Sequence, residues 1–350
     1  MGKNITIIGL GQMGSALALI AAKAGNKVTA VGTPQDKEII DSCIVNAGRH
    51  PRIEEVFPQN VSFAYSDGWR QACEGADYVI GAISSFGVDW FLEEILSVMD
   101  TSVPIVSAAK GLVGLDDGSL ISYPEYWERA LEAKGIKRDI YAIGGPGTAQ
   151  EIRRGEHTHV AVCGRDADIM KMIKSSLETD TFHISLTHDV HGLESAVAIK
   201  NAYALGVSMV IGYSSKNDPD PEHTHCNCQA AAYYQAAKEM VTYLKEEGAC
   251  QESILIGLGD LYVTVTGART RKLGILLGEG KSLEEATKIL SGMTLESVVI
   301  IERLAKAVKT KVAKGQLRKE DFPMLLFVDK VLTQGQVSQL PWKDFTYSEV

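Results

Sequence analysis

The sequence has little cysteine, no long hydrophobic run and no excess of positive charge, and each shortage excludes a class of protein. Six cysteines in 350 residues, without the layout of a secretory signal, are typical of reduced thiols rather than a disulfide scaffold. The longest apolar run, Ala202 to Gly212, is shorter than the roughly 20 residues that span a bilayer. A net charge of -9 argues against nucleic acid as a partner. We therefore expect a cytoplasmic protein without a membrane span.

What the sequence does contain begins with a glycine-rich turn. A short β-branched strand, Asn4 to Ile8, leads directly into the turn, and the small apolar residues Ala16 to Ala24 predict a helix after it. A GxGxxG motif inside such a strand–turn–helix unit indicates a dinucleotide-binding fold. Gly9 permits the tight turn, Gly11 lets the backbone approach a pyrophosphate, and Gly14 lets helix and strand pack closely.

Strands and helices continue to alternate through the first half of the chain. Further strands are predicted in VSFAY from Val61, DYVIGAI from Asp77, PIVSAAKG from Pro104, DIYAIGGPG from Asp139 and THVAVCG from Thr158. This alternation predicts a parallel sheet covered on both faces, a doubly wound Rossmann-type α/β domain. Ligands bind at the carboxyl ends of such strands, where the sequence places Ser84, Ser85, Lys110, Gly111 and the 144–146 turn.

The choice between NAD and NADP stays open. The second strand ends in Val31-Gly-Thr33-Pro, without the carboxylate that usually binds the ribose 2′-hydroxyl of NAD. A small glycine and the Thr33 hydroxyl would tolerate a 2′-phosphate, with Lys37 or Arg49 as candidate partners. Use of both cofactors is our expectation.

From Val190 onward the pattern becomes helical, and the first helix contains a charge. The segment ESAVAIKNAYALGVSMVIG is apolar on all sides, yet Lys200 and Asn201 lie in its middle. A buried lysine needs a carboxylate or an anionic ligand, which is typical of a working site; the alternative is a lysine that extends to the surface. Asp260 is a candidate partner for Lys200. A later basic cluster at Arg269, Arg271 and Lys272 predicts either a phosphate contact or a solvated face. We expect domains at 1–188 and 189–350, the second helical and carrying substrate and catalytic residues.

Five motifs, taken in order, resemble the NAD(P)-dependent glycerol-3-phosphate dehydrogenase family. They are GLGQMGSA, AAKGL, GGPGTAQE, AIKNAYALG and GLGDLYVTVTGARTRKLG, and the match runs from residue 4 to about 333. The resemblance implies a Rossmann domain with an all-helical second domain, a small phosphorylated substrate and a homodimer. It implies catalytic roles for Lys200, Lys110 and Asp260, with Lys200 exchanging a proton with the C2 oxygen. It implies substrate contacts at Asn201, Thr264, Arg269 and Thr270, and cofactor contacts at Gly9, Gly11, Gln12, Met13, Gly14, Thr33, Ser84, Ala149, Arg269 and Glu296.

The sequence departs from the family pattern at several positions. Thr270 stands where asparagine follows the phosphate-binding arginine, and Gln229 stands where the family has a basic residue. Glycerol 3-phosphate with dihydroxyacetone phosphate is the expected substrate pair. Another polyol or sugar phosphate is the first alternative, and a non-catalytic NAD(P)-binding redox sensor is the second. Retention of Lys200, Lys110 and Asp260 argues against the sensor, because cofactor binding needs none of them.

One loop offers metal-ligand chemistry. His223, His225, Cys226 and Cys228 lie within six residues, whereas structural zinc sites draw on two separated pairs of ligands. The sequence therefore favours a Pro/Asp-rich loop, and we expect no metal among the catalytic components.

Overall fold

The chain forms two compact units in the computed structural model. The structure describes residues 2–53, 55–216, 218, 220, 222–267, 269–290, 296–335 and 340–346. The first unit comprises Met1–Lys110 and Ser122–Glu194, and the second comprises Gly111–Ile121 and Ser195–Val350. Each unit has its own cluster of buried apolar side chains.

The first unit is built around a sheet of eight strands. Its strands are β1 (Asn4–Ile8), β2 (Lys27–Val31), β3 (Val61–Ala64), β4 (Tyr78–Gly81), β5 (Ile105–Ser107), β8 (Ile140–Gly144), β9 (Thr158–Cys163) and β10 (Phe182–Thr187), while β6 (Leu112–Gly114) and β7 (Leu120–Ser122) form a separate hairpin. The order across the sheet is β10-β9-β8-β5-β4-β1-β2-β3. The part from β3 to β8 follows the Rossmann order 3-2-1-4-5-6.

The Rossmann-type fold is confirmed, with one correction to the all-parallel sheet that the sequence predicts. β8 and β9 pair antiparallel, with Ile143 opposite Val162, whereas the other neighbouring strands pair parallel. Doubly wound sheets commonly carry such a reversed pair towards one edge. Every residue of β4 and β8 is buried, which explains why both strands read as unbroken apolar runs.

Helices cover this sheet. They are α1 (Gln12–Lys23), α2 (Lys37–Val45), α3 (Trp69–Cys73), α4 (Val88–Trp90), which continues into a π-helical segment at Phe91–Leu96, α5 (Tyr123–Ala133), α6 (Ala149–Arg154) and α7 (Ala167–Leu177). The start of α5 shows why such ends are stable: Ser122 and Glu125 form a capping box that satisfies two backbone N–H groups.

Among its described residues, the regular structure of the second unit is helical apart from the β6–β7 hairpin. Its helices are α8 (Val190–Ser215), α9 (Cys226–Glu246), α10 (Gln251–Gly267), α11 (Arg269–Gly278), α12 (Leu283–Ile289), α13 (Glu296–Ala313) and α14 (Pro323–Gln334). The boundary between the units falls inside α8, after Glu194. The hairpin buries Leu112 and Leu120 in the helical core, and Arg303 of α13 donates to the Leu112 carbonyl.

Helix α8 is long and strongly apolar. It has 26 residues, and by length and composition alone it could cross a membrane, but 94% of its most apolar window is buried inside the structure. A core helix of a folded domain has this character.

Candidate active site

The glycine turn after β1 has two packed glycines and one open one. Gly9 adopts a φ of +103°, and a Cβ there would lie 2.5 Å from the Ala82 carbonyl oxygen. A Cβ on Gly14 would lie 1.9 Å from the Gly9 oxygen. Gly11 is exposed, and within the described chain no other atom approaches its Cβ position within 4 Å. Gly9 and Gly14 therefore hold the turn, and Gly11 leaves its backbone accessible.

The start of α1 fits a dinucleotide phosphate. Its N-cap is Gly11, which offers no side chain to accept from the first N–H groups, and its first turn contains no acidic residue. Gln12 is exposed and Met13 is half-buried. Uncapped N–H groups together with the helix dipole favour a bound anion. The residues present thus suit the pyrophosphate of a nicotinamide dinucleotide.

Asp36, just before α2, is a carboxylate near the end of β2 that the sequence did not single out. Its Oδ2 accepts from the Thr33 amide at 2.9 Å, the Thr33 hydroxyl at 2.7 Å and the Leu10 amide at 3.2 Å. Asp36 therefore ties the glycine turn to the end of β2. The signal was present three residues beyond Thr33, at the start of α2. Of the two predicted phosphate partners, Lys37 pairs with Asp41 at 2.9 Å and Arg49 is exposed.

His50 holds the other side of the same turn. Its Nε2 lies 3.1 Å from the Leu10 carbonyl oxygen, and its Nδ1 lies 3.1 Å from the Arg52 amide nitrogen. Since a carbonyl can only accept and an amide N–H can only donate, these contacts assign the neutral tautomer with the proton on Nε2. Burial lowers the pKa of His50, so the ring stays neutral in this role.

The predicted residues at the strand ends lie where the sequence places them. Ser84 is exposed beyond β4, and Lys110 follows β5. The Lys110 Nζ donates to the Gly145 carbonyl beyond β8 at 3.2 Å. Lys110 also lines an apolar cavity with Met13, Leu17 and other residues. Ala149 begins α6 with its side chain buried, so it presents only backbone to a ligand.

Glu194 is a functional candidate that the sequence analysis missed. It is 1% exposed, and among the described residues its Oε2 has no hydrogen-bond partner. Burial raises the pKa of Glu194 to about 8; the positive charge of Lys110 opposes this shift and the negative charge of Glu125 adds to it. The carboxyl group is thus mostly protonated near neutral pH. Its only signal in the sequence was a glutamate at the head of an apolar run.

Glu125 shows the opposite behaviour in the same unit. Burial would raise its pKa, but the contact with His191 Nδ1 at 3.0 Å and the bonds from Ser122 outweigh that effect and lower the pKa to about 2. Glu125 is therefore an anion at every physiological pH, and Glu194 is the carboxyl group whose charge changes.

In the helical unit, Lys200 and Asp260 form a buried ion pair. The Lys200 Nζ donates to Asp260 Oδ1, and the residues are 6% and 0% exposed. The predicted pairing is confirmed, and the alternative of a lysine that extends to the surface is wrong. Breaking a buried pair by removing one partner typically costs about 3–5 kcal/mol, so each charge depends on the other.

Small residues allow α8, which carries Lys200, and α10, which carries Asp260, to pack closely. A Cβ on Gly257 of α10 would lie 2.6 Å from the Cβ of Ala196 on α8. Gly257 and Ala196 lie one helical turn before Asp260 and Lys200, so this crossing places the carboxylate beside the ammonium group. Thr264 is buried one turn further along α10 and donates to the Asp260 carbonyl at 2.7 Å.

The remaining predicted residues of this unit lie at helix starts and on α8. Arg269 is exposed at the start of α11, and Thr270 beside it is buried. Arg271 donates to the Val265 carbonyl at 2.8 Å and so contributes to the structure. Asn201 follows Lys200 on α8 and is half-buried, as is Glu296 at the start of α13.

Comparison with known families matches both halves of the chain. Residues 4–170 match the model of the NAD-dependent glycerol-3-phosphate dehydrogenase N-terminus, and residues 189–340 match that of its C-terminus. The chain belongs to this glycerol-3-phosphate dehydrogenase family. The family-level resemblance seen in the sequence motifs is thereby confirmed.

Comparisons with individual proteins support the same family assignment. The NADP(+)-dependent glycerol-3-phosphate dehydrogenase of Archaeoglobus fulgidus is 30% identical over 335 residues, which is 95% of each chain. A glycerol-3-phosphate dehydrogenase [NAD(P)+] of Clostridium tetani is 28% identical, covering 95% of this chain and 89% of the relative. The crystal structure of the Coxiella burnetii glycerol-3-phosphate dehydrogenase shares the fold, with a TM-score of 0.78, 22% identity and 98% coverage of each chain.

Proposed function

We propose that the protein is an NAD(P)-dependent dehydrogenase that interconverts dihydroxyacetone phosphate and glycerol 3-phosphate. The observation that carries this proposal is the buried Lys200–Asp260 pair, because a dinucleotide-binding protein without chemistry needs no buried ammonium group. The nicotinamide ring, when bound, supplies or accepts the hydride at C2 of the substrate. Relatives named for this activity, at up to 30% identity over 95% of the chain, support the assignment.

In this proposal the helical unit provides acid–base chemistry and anion binding. Lys200 donates a proton to the C2 oxygen as the ketone is reduced and takes it back in the reverse direction. Asp260 fixes the direction of the ammonium group and keeps the charge tolerable. Arg269 binds the substrate phosphate, since a guanidinium can bond two phosphate oxygens at once. The other substrate contacts are Asn201, Thr264 and Thr270.

The first unit provides most of the proposed cofactor contacts. Gly9, Gly11, Gln12, Met13 and Gly14 form the phosphate-binding turn. The remaining proposed cofactor contacts are Thr33, Ser84, Ala149, Arg269 and Glu296. Lys110 is proposed as the second catalytic lysine. Asp36 adds a role in support of this turn, because it accepts from both Leu10 and Thr33. A homodimer and a cytoplasmic location stay predictions.

The test is to follow the oxidation of NADH and of NADPH by absorbance, with dihydroxyacetone phosphate and a panel of longer ketose and aldose phosphates. Rapid turnover of dihydroxyacetone phosphate is the expected result, and the two rates give the cofactor preference. Turnover only with a longer phosphate would replace the substrate and implicate Thr270 and Gln229. Cofactor binding with no turnover on any phosphate would overturn the enzymatic proposal in favour of a redox sensor.

A further inference from the structure

Three potential metal ligands converge in the loop between α8 and α9. The side chains of Asp218, His223 and His225 place one ligand atom each within 4.8 Å of the others. His223 Nδ1 lies 2.6 Å and His225 Nε2 lies 3.2 Å from the same oxygen, Asp218 Oδ2. The two imidazole centroids are 4.0 Å apart. Two ring nitrogens thus lie close to one carboxylate oxygen.

The environment of His225 Nε2 indicates that an ion pair alone does not satisfy it. The atom is buried, and within the described chain it has no hydrogen-bond partner, although the Asp218 oxygen is near enough for an ion pair. The nitrogen therefore points past the oxygen rather than at it. Buried polar atoms are almost always partnered, so a missing partner indicates an ion or a water.

The backbone around the cluster holds two of its members in position. The other oxygen of Asp218, Oδ1, accepts from the Asp220 amide at 2.9 Å, which fixes the carboxylate and leaves Oδ2 directed at the rings. His225 has a φ of +50°, a left-handed conformation that is uncommon outside glycine. Strained backbone of this kind is enriched at ligand sites, where the surrounding structure maintains it.

We propose that Asp218, His223 and His225 form a binding site for a divalent transition-metal ion such as Zn²⁺, with water completing the coordination. Two imidazole nitrogens and one carboxylate oxygen are a ligand set that suits zinc and its neighbours. Bonds of about 2.1 Å in tetrahedral geometry separate ligand atoms by about 3.4 Å. The His225 Nε2 distance to Asp218 Oδ2, 3.2 Å, is close to this value, and the His223 Nδ1 distance, 2.6 Å, is shorter. The acidic neighbours Asp220 and Glu222 add attraction for a cation.

This ligand set differs from the one that the sequence offered. The cysteines of the loop are not part of the convergent group, and Cys226 Sγ lies 3.0 Å from the Thr224 hydroxyl. The third ligand is instead Asp218, which precedes both histidines in the chain. The ion would link the segment just after α8 to the residue just before α9. The site is independent of the proposed dehydrogenase activity.

The experiment measures Zn²⁺ binding by the full chain after dialysis against a chelator, in competition with a chromophoric chelator. The wild-type protein is expected to bind one equivalent. Asp218→Asn and His225→Ala are each expected to weaken binding by at least about 100-fold, more than the loss of a residue that only hydrogen-bonds to a metal ligand costs. The control is His159→Ala, which removes an exposed histidine outside the cluster, hydrogen-bonded to Ser185 at 2.8 Å. It should bind as the wild type does.

Three further measurements keep the ligand assignment falsifiable. A Cys226→Ser/Cys228→Ser double variant should bind Zn²⁺ as the wild type does, and the Co²⁺ form should show visible d–d bands without a thiolate charge-transfer band. Zn²⁺ should raise the Tm of the wild type and not that of His225→Ala, whose circular dichroism verifies its fold. Absence of an equivalent in the wild type, or binding that survives His225→Ala or disappears in the cysteine variant, overturns the proposal.

Discussion

At the scale of single residues, Lys200 has the clearest consequence for activity. Replacing it with methionine keeps the length of the side chain and removes the proton, so we expect kcat to fall about 10²- to 10⁴-fold, the usual contribution of a general acid. Cofactor affinity, measured by quenching or transfer of protein fluorescence, should stay nearly unchanged. The matched control is Lys309→Met, because Lys309 also pairs with a helical aspartate, Asp329, at 2.7 Å but is largely exposed. Wild-type kcat in Lys200→Met would remove the lysine from the mechanism.

Arg269 carries a prediction about substrate binding rather than turnover. Hydrogen bonds to a charged group contribute about 1.5–3 kcal/mol, so Arg269→Ala should raise KM for dihydroxyacetone phosphate by about 10- to 100-fold. Reduction of unphosphorylated dihydroxyacetone should change little. Lys272→Ala, at an exposed position in the same basic cluster, is the control. If KM rises equally for the phosphorylated and the unphosphorylated substrate, the guanidinium does not bind the phosphate.

Asp36 and Glu194 show why some site residues were not found from the sequence. The Asp36 carboxylate lies beyond a turn after β2, at the start of α2, and only the folded chain brings it to the Thr33 and Leu10 amides. Glu194 is easily seen in the sequence, but its raised pKa results from complete burial near Lys110, which only the folded structure shows. Lys200 and Asp260 were predictable because a charge in an all-apolar helix requires a partner.

At the scale of elements, different glycines of the turn after β1 affect cofactor binding and protein stability. Gly11→Ala should leave the free energy of unfolding nearly unchanged, because its new methyl meets nothing, but it should weaken NAD(P)H binding where the phosphates approach. Gly14→Ala is the counterpart: its methyl would lie 1.9 Å from a backbone oxygen, so the protein should lose at least about 1–3 kcal/mol of stability.

Urea unfolding and cofactor titration of both glycine variants check this expectation. Loss of stability in Gly11→Ala, or an unaffected Gly14→Ala, would contradict the assignment of packed and open glycines.

The strands differ in how far the sequence could predict them. β1, β2, β4 and β8 are apolar, β-branched and bounded by glycine or acidic residues, so they were predicted close to their observed bounds. The hairpin β6–β7 was missed because strands of three residues carry no measurable period. The reversal between β8 and β9 was missed because an apolar strand has the same composition in either direction.

At the scale of the whole molecule, Glu194 makes stability depend on pH. Its pKa is raised in the folded state, so the folded chain keeps a proton that the unfolded chain releases, and stability falls as pH rises from about 4.5 to about 8. Glu194→Gln removes this loss, so relative to the wild type its free energy of unfolding should rise by about 4 kcal/mol from pH 5 to pH 9.

Urea unfolding at several pH values measures the Glu194 effect, with Glu252→Gln, at an exposed position, as the control. A constant difference between Glu194→Gln and the wild type across this range would show that the Glu194 carboxyl group titrates normally.

The apolar character of α8 also matters before the protein has folded. This 26-residue helix, with a mean hydropathy of 1.3 in its most apolar window, is long and apolar enough to enter a membrane if it is exposed before folding. A lysine near the middle of such a segment raises the free energy of membrane insertion by about 2.5–3.5 kcal/mol. Lys200 would therefore keep the nascent chain out of the translocation machinery, and Lys200→Leu should increase the inserted fraction in cell-free translation with microsomes. The same ammonium group would then serve both catalysis and correct sorting during synthesis.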